Sequence, residues 1–268
     1  MIGKSAVCIW TLAILLAGTA AHAQTPAISG IAHIAFRVSD LDKEVAFFGQ
    51  LGYEESFATR NGPKALEVFI KINDRQFIEL YPQENPSQQL GWMHVCFESD
   101  ALNSLDSLYA SKGLQPTNVA KAAAGNLIFS LKDPEGRTTE FTQYMPGSRH
   151  TLDRGQHLGS DRVSNQLMGY ELPVTDLAAA RKFYVALGFE AQDADNRVLM
   201  TAPGVPDLRI EIHTANAGNQ AQTLFPVPDA HKAADDLHHA GLKVNRQGKL
   251  VFVRDPDGNN FVLLETGL

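Results

Sequence analysis

The chain has 268 residues, 44% hydrophobic and 20% charged, a balance that belongs to a folded globular protein and excludes disordered, collagen-like and fibrous classes. Its 23 Lys and Arg against 30 Asp and Glu give a net charge of −7 with no basic run, which argues against a nucleic-acid or anionic-membrane surface. Two cysteines, Cys8 and Cys96, are too few for a disulfide framework.

The first residues have the pattern expected of a leader. Lys4 is the only charge before Arg37, an apolar run covers Ala6 to Ala17, and Ala21-His22-Ala23 offers a small-x-small cleavage site before Gln24. This pattern predicts a signal peptide over 1–23, removed on export to the periplasm or the exterior. The mature chain is then expected to keep Cys96 as its single thiol and to have no membrane attachment.

Ile31 to Val38 alternates, with Ile34, Phe36 and Val38 on one face and His33, Ala35 and Arg37 on the other, which predicts a strand. Asp40 is a fitting N-cap for a helix over 41–50 with Val45, Phe47 and Phe48 on its apolar side, and Gly52 stops it. Strands follow around 54–60, 65–72 and 76–81. After Gly91 the order restarts: a strand over 92–98, a helix over 100–112 ended by Gly113, and strands over 117–121, 126–132 and 138–144. The unit is therefore βαβββ, used twice.

The whole arrangement then recurs. Val38-Ser39-Asp40-Leu41 and Leu51-Gly52-Tyr53-Glu54 return 136 residues later as Val174-Thr175-Asp176-Leu177 and Leu187-Gly188-Phe189-Glu190. Asp133-Pro134-Glu135-Gly136 returns as Asp255-Pro256-Asp257-Gly258. We expect an α+β protein of two tandem domains, 28–146 and 166–268, joined by a linker over 147–165. Each domain is a pair of βαβββ modules forming one cupped mixed sheet.

His33 and Glu79 stand on the first and last strands of the first module, 46 residues apart, and His94 and Glu140 stand likewise in the second, again 46 apart. Each lies opposite the apolar set that covers a helix, so all four face the cup. Imidazole with carboxylate suits one divalent ion such as Zn²⁺, Ni²⁺, Co²⁺, Mn²⁺ or Fe²⁺. In the second copy Gly169, Thr223 and Val262 align with His33, His94 and Glu140, and only Glu211 survives opposite Glu79, so this domain is expected to hold no metal. Arg37, two residues beyond His33, is placed to bind a substrate anion, and Tyr81, Trp92 and Tyr144 share faces with Glu79, His94 and Glu140 as candidate substrate contacts. Cys96 reads as a small buried apolar group, and His231, His238 and His239 as a solvated helix face.

The segments G-I-A-H-I-A-F-R-V-S-D-L at 30–41, L-G-Y-E at 51–54, F-I-E-L-Y at 77–81, M-H-V-C-F at 93–97 and D-P-E-G-R-T-T-E-F at 133–141 resemble the vicinal oxygen chelate superfamily of glyoxalases, bleomycin resistance proteins and extradiol dioxygenases. The resemblance implies a glyoxalase-like fold and places His33, Glu79, His94 and Glu140 on the four ligand positions of glyoxalase I. It also implies a metal-dependent lyase or isomerase acting on a small 2-oxo or 2-hydroxy carbonyl compound, with Glu140 as the catalytic base and Glu79 its counterpart. Two alternatives stand beside it: an Fe²⁺ extradiol-type dioxygenase using His33, His94 and Glu140, and a periplasmic small-molecule binding or resistance protein. The expected partner is a small-molecule substrate, and pairing of modules within or between chains leaves a homodimer open.

Overall fold

The computed structural model describes residues 27–216 and 220–267; the expected signal peptide lies outside them. The first module runs β1 (Gly30–Val38), α1 (Leu41–Gln50), β2 (Glu54–Asn61), β3 (Lys64–Lys71) and β4 (Phe77–Pro82). The second runs β5 (Gly91–Glu98), α2 (Leu102–Ser111), β6 (Ala120–Lys121), β7 (Leu127–Lys132) and β8 (Thr138–Gln143). The elements stand where the alternation and capping signals put them. Asp40 accepts the Asp42 and Lys43 N–H groups at the start of α1. Only β6 is much shorter than expected, because the Thr117 hydroxyl takes the Ser130 N–H that a strand carbonyl would take.

The two modules join edge to edge in one eight-stranded sheet of order β2-β3-β4-β1-β5-β8-β7-β6. At its centre β1 runs antiparallel to β5, while β4 is parallel to β1 and β8 is parallel to β5. The second domain repeats the plan. It comprises β9 (Gly169–Val174), α4 (Leu177–Leu187), β10 (Glu190–Ala194), β11 (Arg197–Ala202), β12 (Val205–Thr214), β13 (Gln222–Val227), α5 (Ala230–His239), β14 (Val244–Gln247), β15 (Leu250–Arg254) and β16 (Asn260–Glu265). Its strand order, β10-β11-β12-β9-β13-β16-β15-β14, is the same order again.

Both sheets turn their helix-bearing faces to one shared core. Phe261 of β16 packs on Phe36, Phe47 and Phe48 of the first domain, Tyr53 meets Phe225, and Phe97 meets Phe189, with ring centroids 5.3–5.9 Å apart. Two reciprocal clasps close the rim. The Asp257 carboxylate accepts the Ser39 N–H and hydroxyl, both at 2.6 Å, and the Glu135 carboxylate accepts the Thr175 N–H and hydroxyl. Each repeated V-[ST]-D-L segment is thus held by the D-P-[ED]-G turn of the other domain.

The segment 147–165, expected as a connector, is packed against the first domain. It forms α3 (Arg149–Leu152), and its Asp153 meets the fully buried ammonium of Lys71 at 2.9 Å and the Ser56 hydroxyl at 2.6 Å. Gly52 makes room for this segment: it lies at φ +82°, and a Cβ there would stand 2.3 Å from the Asp161 carbonyl oxygen.

One buried group is at odds with its surroundings. Glu44 of α1 is fully buried, and neither carboxylate oxygen has a hydrogen-bond partner among the described residues. Burial, reinforced by the charges of Asp255 and Asp257, pushes its carboxyl up to about 8. Because the folded value lies above the unfolded one, the folded state holds a proton that the unfolded chain releases. Stability from this group is full below the ordinary carboxylate range and declines as the pH climbs to about 8. Urea midpoints across this range are expected to fall for the wild type and to stay flatter for Glu44→Gln, with a difference of about 2 kcal/mol or more at the alkaline end.

Candidate metal centre

The floor of the first cup is the four-strand run β4-β1-β5-β8, and each strand contributes one of the four predicted side chains. Two bulges set which residues face inward. Between β1 and β5 the pairing passes from Ile31↔Phe97 to His33↔Cys96, so Ala32 is an extra residue that lets both Ile31 and His33 take their proper faces. It also passes from Ala35↔His94 to Phe36↔Trp92, which makes Met93 the extra residue on β5.

The second bulge corrects one expectation. Strict alternation put Trp92 on the His94 face; the extra Met93 turns Trp92 to the other side, where it packs on Phe36 and on Tyr170 of the second domain. Trp92 is a core residue and does not line the cup. Of the other candidate substrate contacts, Arg37 reaches the Gln89 carbonyl at 3.4 Å without touching the ligand cluster. Tyr144 donates its hydroxyl to the Arg75 carbonyl at 2.8 Å. Tyr81 alone reaches the cluster, through a 3.1 Å hydrogen bond to Glu79 Oε2.

Three of the four predicted ligand atoms converge. His33 Nε2 lies 3.1 Å from His94 Nε2, and Glu140 Oε2 lies 3.7 and 3.4 Å from these two nitrogens. For metal–ligand bonds of about 2.1 Å, neighbouring octahedral positions are about 3 Å apart, so the three atoms fit one face of a coordination octahedron. Glu79 is elsewhere: its Oε1 lies 3.0 Å from His33 Nδ1, on the side of the ring away from His94. Among the described residues this His33, His94 and Glu140 group is the one His/Cys/Asp/Glu set close enough to share an ion.

Electrostatics agree with a site made for a cation. His33, His94 and Glu79 are buried, and Glu140 is the most exposed of the four. Burial opposes the Glu79 charge, but the His33 imidazole outweighs it and brings the carboxyl down to about 2. Burial likewise opposes the Glu140 charge, and the two imidazoles lower that carboxyl too. For His33 the desolvation that would depress it is overcome by the Glu79 carboxylate, while His94 is lowered by burial. The Cys96 thiol, opposite both His33 and Glu140 on β5, is pushed up to about 12 by burial and stays neutral.

Two residues not singled out in the sequence complete the cup. Glu67 of β3 is in hydrogen-bond contact with the Tyr81 hydroxyl. His150 of α3 is ringed by Phe57, Phe69, Phe77 and Tyr144 at 4.8–5.1 Å between centroids. Asn126 lies 2.9 Å from His150 Nδ1, and burial takes this imidazole down to about 4, so it is neutral. Glu67 was within reach of alternation from Phe69, whereas His150 lies in a segment with no periodicity.

Among the described residues the second cup shows no counterpart centre. Register equates Gly169 with His33 and Val262 with Glu140, as expected, but it puts Gln222 at the His94 place in lieu of Thr223. The cause lies at the helix cap: Asp229 caps α5 where Ala101 caps α2, so Asp229 corresponds to Ala101 and an Asp-to-Asp alignment with Asp100 is one residue out. Glu211 is paired with Arg197 and Arg209 at 3.1 and 3.3 Å. His231, His238 and His239 are exposed on α5, as expected.

The chain belongs to the Glyoxalase/Bleomycin resistance protein/Dioxygenase superfamily, whose family model matches residues 30–141 and 164–263. A comparison with curated protein sequences gives no significant match. Among solved structures it is similar to the 2,3-dioxygenase LapB from Pseudomonas sp. KL28, at 17% identity and TM-score 0.69 over 91% of this chain and 94% of that one. It is also similar to the Mn(II)-bound glyoxalase from Novosphingobium aromaticivorans, at 15% identity and TM-score 0.66 over 90% and 83% of the two chains. An extradiol ring-cleaving dioxygenase from B. fuscum matches at 18% identity and TM-score 0.68 over 90% and 73%. At these identities the likeness is one of fold.

Elemental analysis after loading with Mn²⁺, Co²⁺ or Zn²⁺ is expected to give about one ion per chain, and none for the His33→Ala, His94→Ala double variant. The ion binds the folded chain alone, so about 100-fold excess over its dissociation constant adds about 2.7 kcal/mol of stability, visible as a rise in melting temperature that chelator reverses.

Proposed function

We propose that the chain is a mononuclear metalloenzyme holding its ion on His33, His94 and Glu140, with Glu79 outside the coordination shell, and that it cleaves a small aromatic diol in the manner of an extradiol dioxygenase. The observation that carries this reading is the convergence of three donor atoms while Glu79 sits on the far nitrogen of His33. A divalent ion there supplies Lewis acidity toward two adjacent substrate oxygens and, as Fe²⁺ or Mn²⁺, electron transfer to dioxygen.

The chain's own residues prepare this chemistry. Glu79 accepts the His33 Nδ1 proton, which fixes the tautomer and aims the Nε2 lone pair inward. Glu140 supplies the one ligand charge and stands on the accessible side, where substrate enters. His150, neutral and held by Asn126, closes the cup from α3 together with the aromatic rings around it and keeps water out. Arg37, on the His33 face of β1, is proposed as an anion contact for the substrate.

A second reading is a glyoxalase-type isomerase with Glu79 as a fourth ligand and Glu140 as the base. It is supported by the equivalent strand positions of the two carboxylates. Export of the mature chain from Gln24 belongs to the proposal as well; mass spectrometry of material recovered outside the cytoplasm is expected to find Met1 to Ala23 gone.

Oxygen uptake by the Fe²⁺-loaded protein with a panel of catechols tests the diol reading. Replacing His33, His94 or Glu140 is expected to cut turnover by about a hundredfold or more, whereas Glu79→Gln, which still accepts from Nδ1, costs about tenfold. Absence of oxygen uptake, with turnover of a 2-oxo thiol adduct and a Glu79→Gln loss as deep as that of Glu140→Gln, would instead establish the isomerase.

A further inference from the structure

The two halves of the first sheet place their carboxylates identically along the backbone. Glu79 on β4 pairs with Ala35, two residues past His33, and Glu140 on β8 pairs with Cys96, two residues past His94. The side chains nevertheless behave differently: Glu140 faces both Nε2 atoms, and Glu79 is drawn aside between His33 Nδ1 and the Tyr81 hydroxyl. Since the backbone is the same, the neighbours must make the difference.

On the Glu79 side, the pairing of Val68 with Leu80 and Phe69 with Glu79 brings Glu67 beside Tyr81. The Tyr81 hydroxyl then contacts Glu67 Oε1 as well as Glu79 Oε2, and Glu67 Oε2 is within 3.4 Å of the Thr59 hydroxyl. On the Glu140 side, Ser130 pairs with Glu140 and Ile128 with Thr142, so Ile128 replaces Glu67 and Thr142 replaces Tyr81. Ile128 offers no hydrogen bond, and Thr142 donates its hydroxyl to the Leu127 carbonyl at 3.1 Å. Nothing there pulls Glu140 from the imidazoles.

We propose that Tyr81 and Glu67 are positioning residues that hold Glu79 against His33 Nδ1 and outside the ion's coordination shell, fixing the centre at three protein ligands. The inference rests on the three-ligand reading of the proposed function. Its chemical consequence is a count of free positions: in an octahedral shell three protein ligands leave three, enough for a chelating diol and one further small molecule, whereas four leave only the two that the diol fills.

Co²⁺-loaded protein gives the test without reference to turnover, through its visible absorption and its affinity in equilibrium dialysis. Glu79→Gln alone is expected to leave the Co²⁺ spectrum unchanged and to weaken binding by at most about tenfold. Tyr81→Phe, and independently Glu67→Ile, which copies the other half of the sheet, are expected to release Glu79 onto the ion. The spectrum then shifts and Co²⁺ binds about tenfold more tightly, the scale of an added shell contact. Adding Glu79→Gln to either variant should return the spectrum to that of the wild type. Wild-type spectra and affinities in both Tyr81→Phe and Glu67→Ile would overturn the positioning role and leave the three-ligand reading standing. A spectral shift that persists after Glu79→Gln is added would overturn it too. A shift caused by Glu79→Gln alone would show Glu79 already bound and bring down the three-ligand reading itself.

Discussion

The pairing of β1 with β5 is the contact on which the site depends. Each βαβββ module carries one imidazole and one carboxylate, too little to hold an ion, and the antiparallel join brings the two sets together. The register is not uniform, and that matters. A one-residue slip turns every side chain to the opposite face. The extra residues Ala32 and Met93 absorb such slips in opposite strands, so that His33 and His94 stay on the concave face while Ile31, Phe36 and Trp92 stay in the core. The Trp92 ring then packs on Tyr170, so the bulge that ends the cup on β5 also builds the contact between domains.

The second domain also contributes to the packing beneath the first cup. Its Phe225, Phe261 and Phe189 complete the packing around α1, β1 and β5. A core shared in this way makes the second copy part of the stability of the first. The clasps follow from the pseudo-symmetry: once Ser39 and Thr175 each present a free N–H and hydroxyl before a helix, an acidic residue in the turn of the opposite domain can take both. The repeated V-[ST]-D-L and D-P-[ED]-G segments are two halves of one contact, and they need each other across the chain.

Much of this was legible in the sequence because alternation, caps and a duplicated motif all report on local backbone. The four strand-borne His and Glu positions followed from face assignment and equal spacing, and His33, His94 and Glu140 do converge. What sequence did not carry is orientation within a face. Glu79 lies on the cup side as expected, yet its direction depends on Tyr81 and Glu67, a cross-strand relation that needs the register of β3 against β4. Trp92 was misplaced because a bulge breaks the period without leaving a mark in composition. His150 and Lys71 were not anticipated, since the segment 147–165 has no periodicity to read and its place is set by a buried ion pair with Asp153.

The divergence of the two cups is written into backbone as well as side chains. Gly169 holds the place of His33, and a Cβ there would fall 1.6 Å from the Arg209 carbonyl oxygen, so the strands have closed over the position. Restoring histidine at that point would require β9 and β12 to separate, not merely a new side chain. Arg197 occupies the place of Glu67 and Arg209 that of Phe77, and both neutralise the surviving Glu211. The carboxylate at the place of Glu79 is here the acceptor of two guanidinium groups. Two guanidinium groups thus meet Glu211 where the His33 imidazole meets Glu79 in the first cup, and charge-assisted hydrogen bonds satisfy the carboxylate in both.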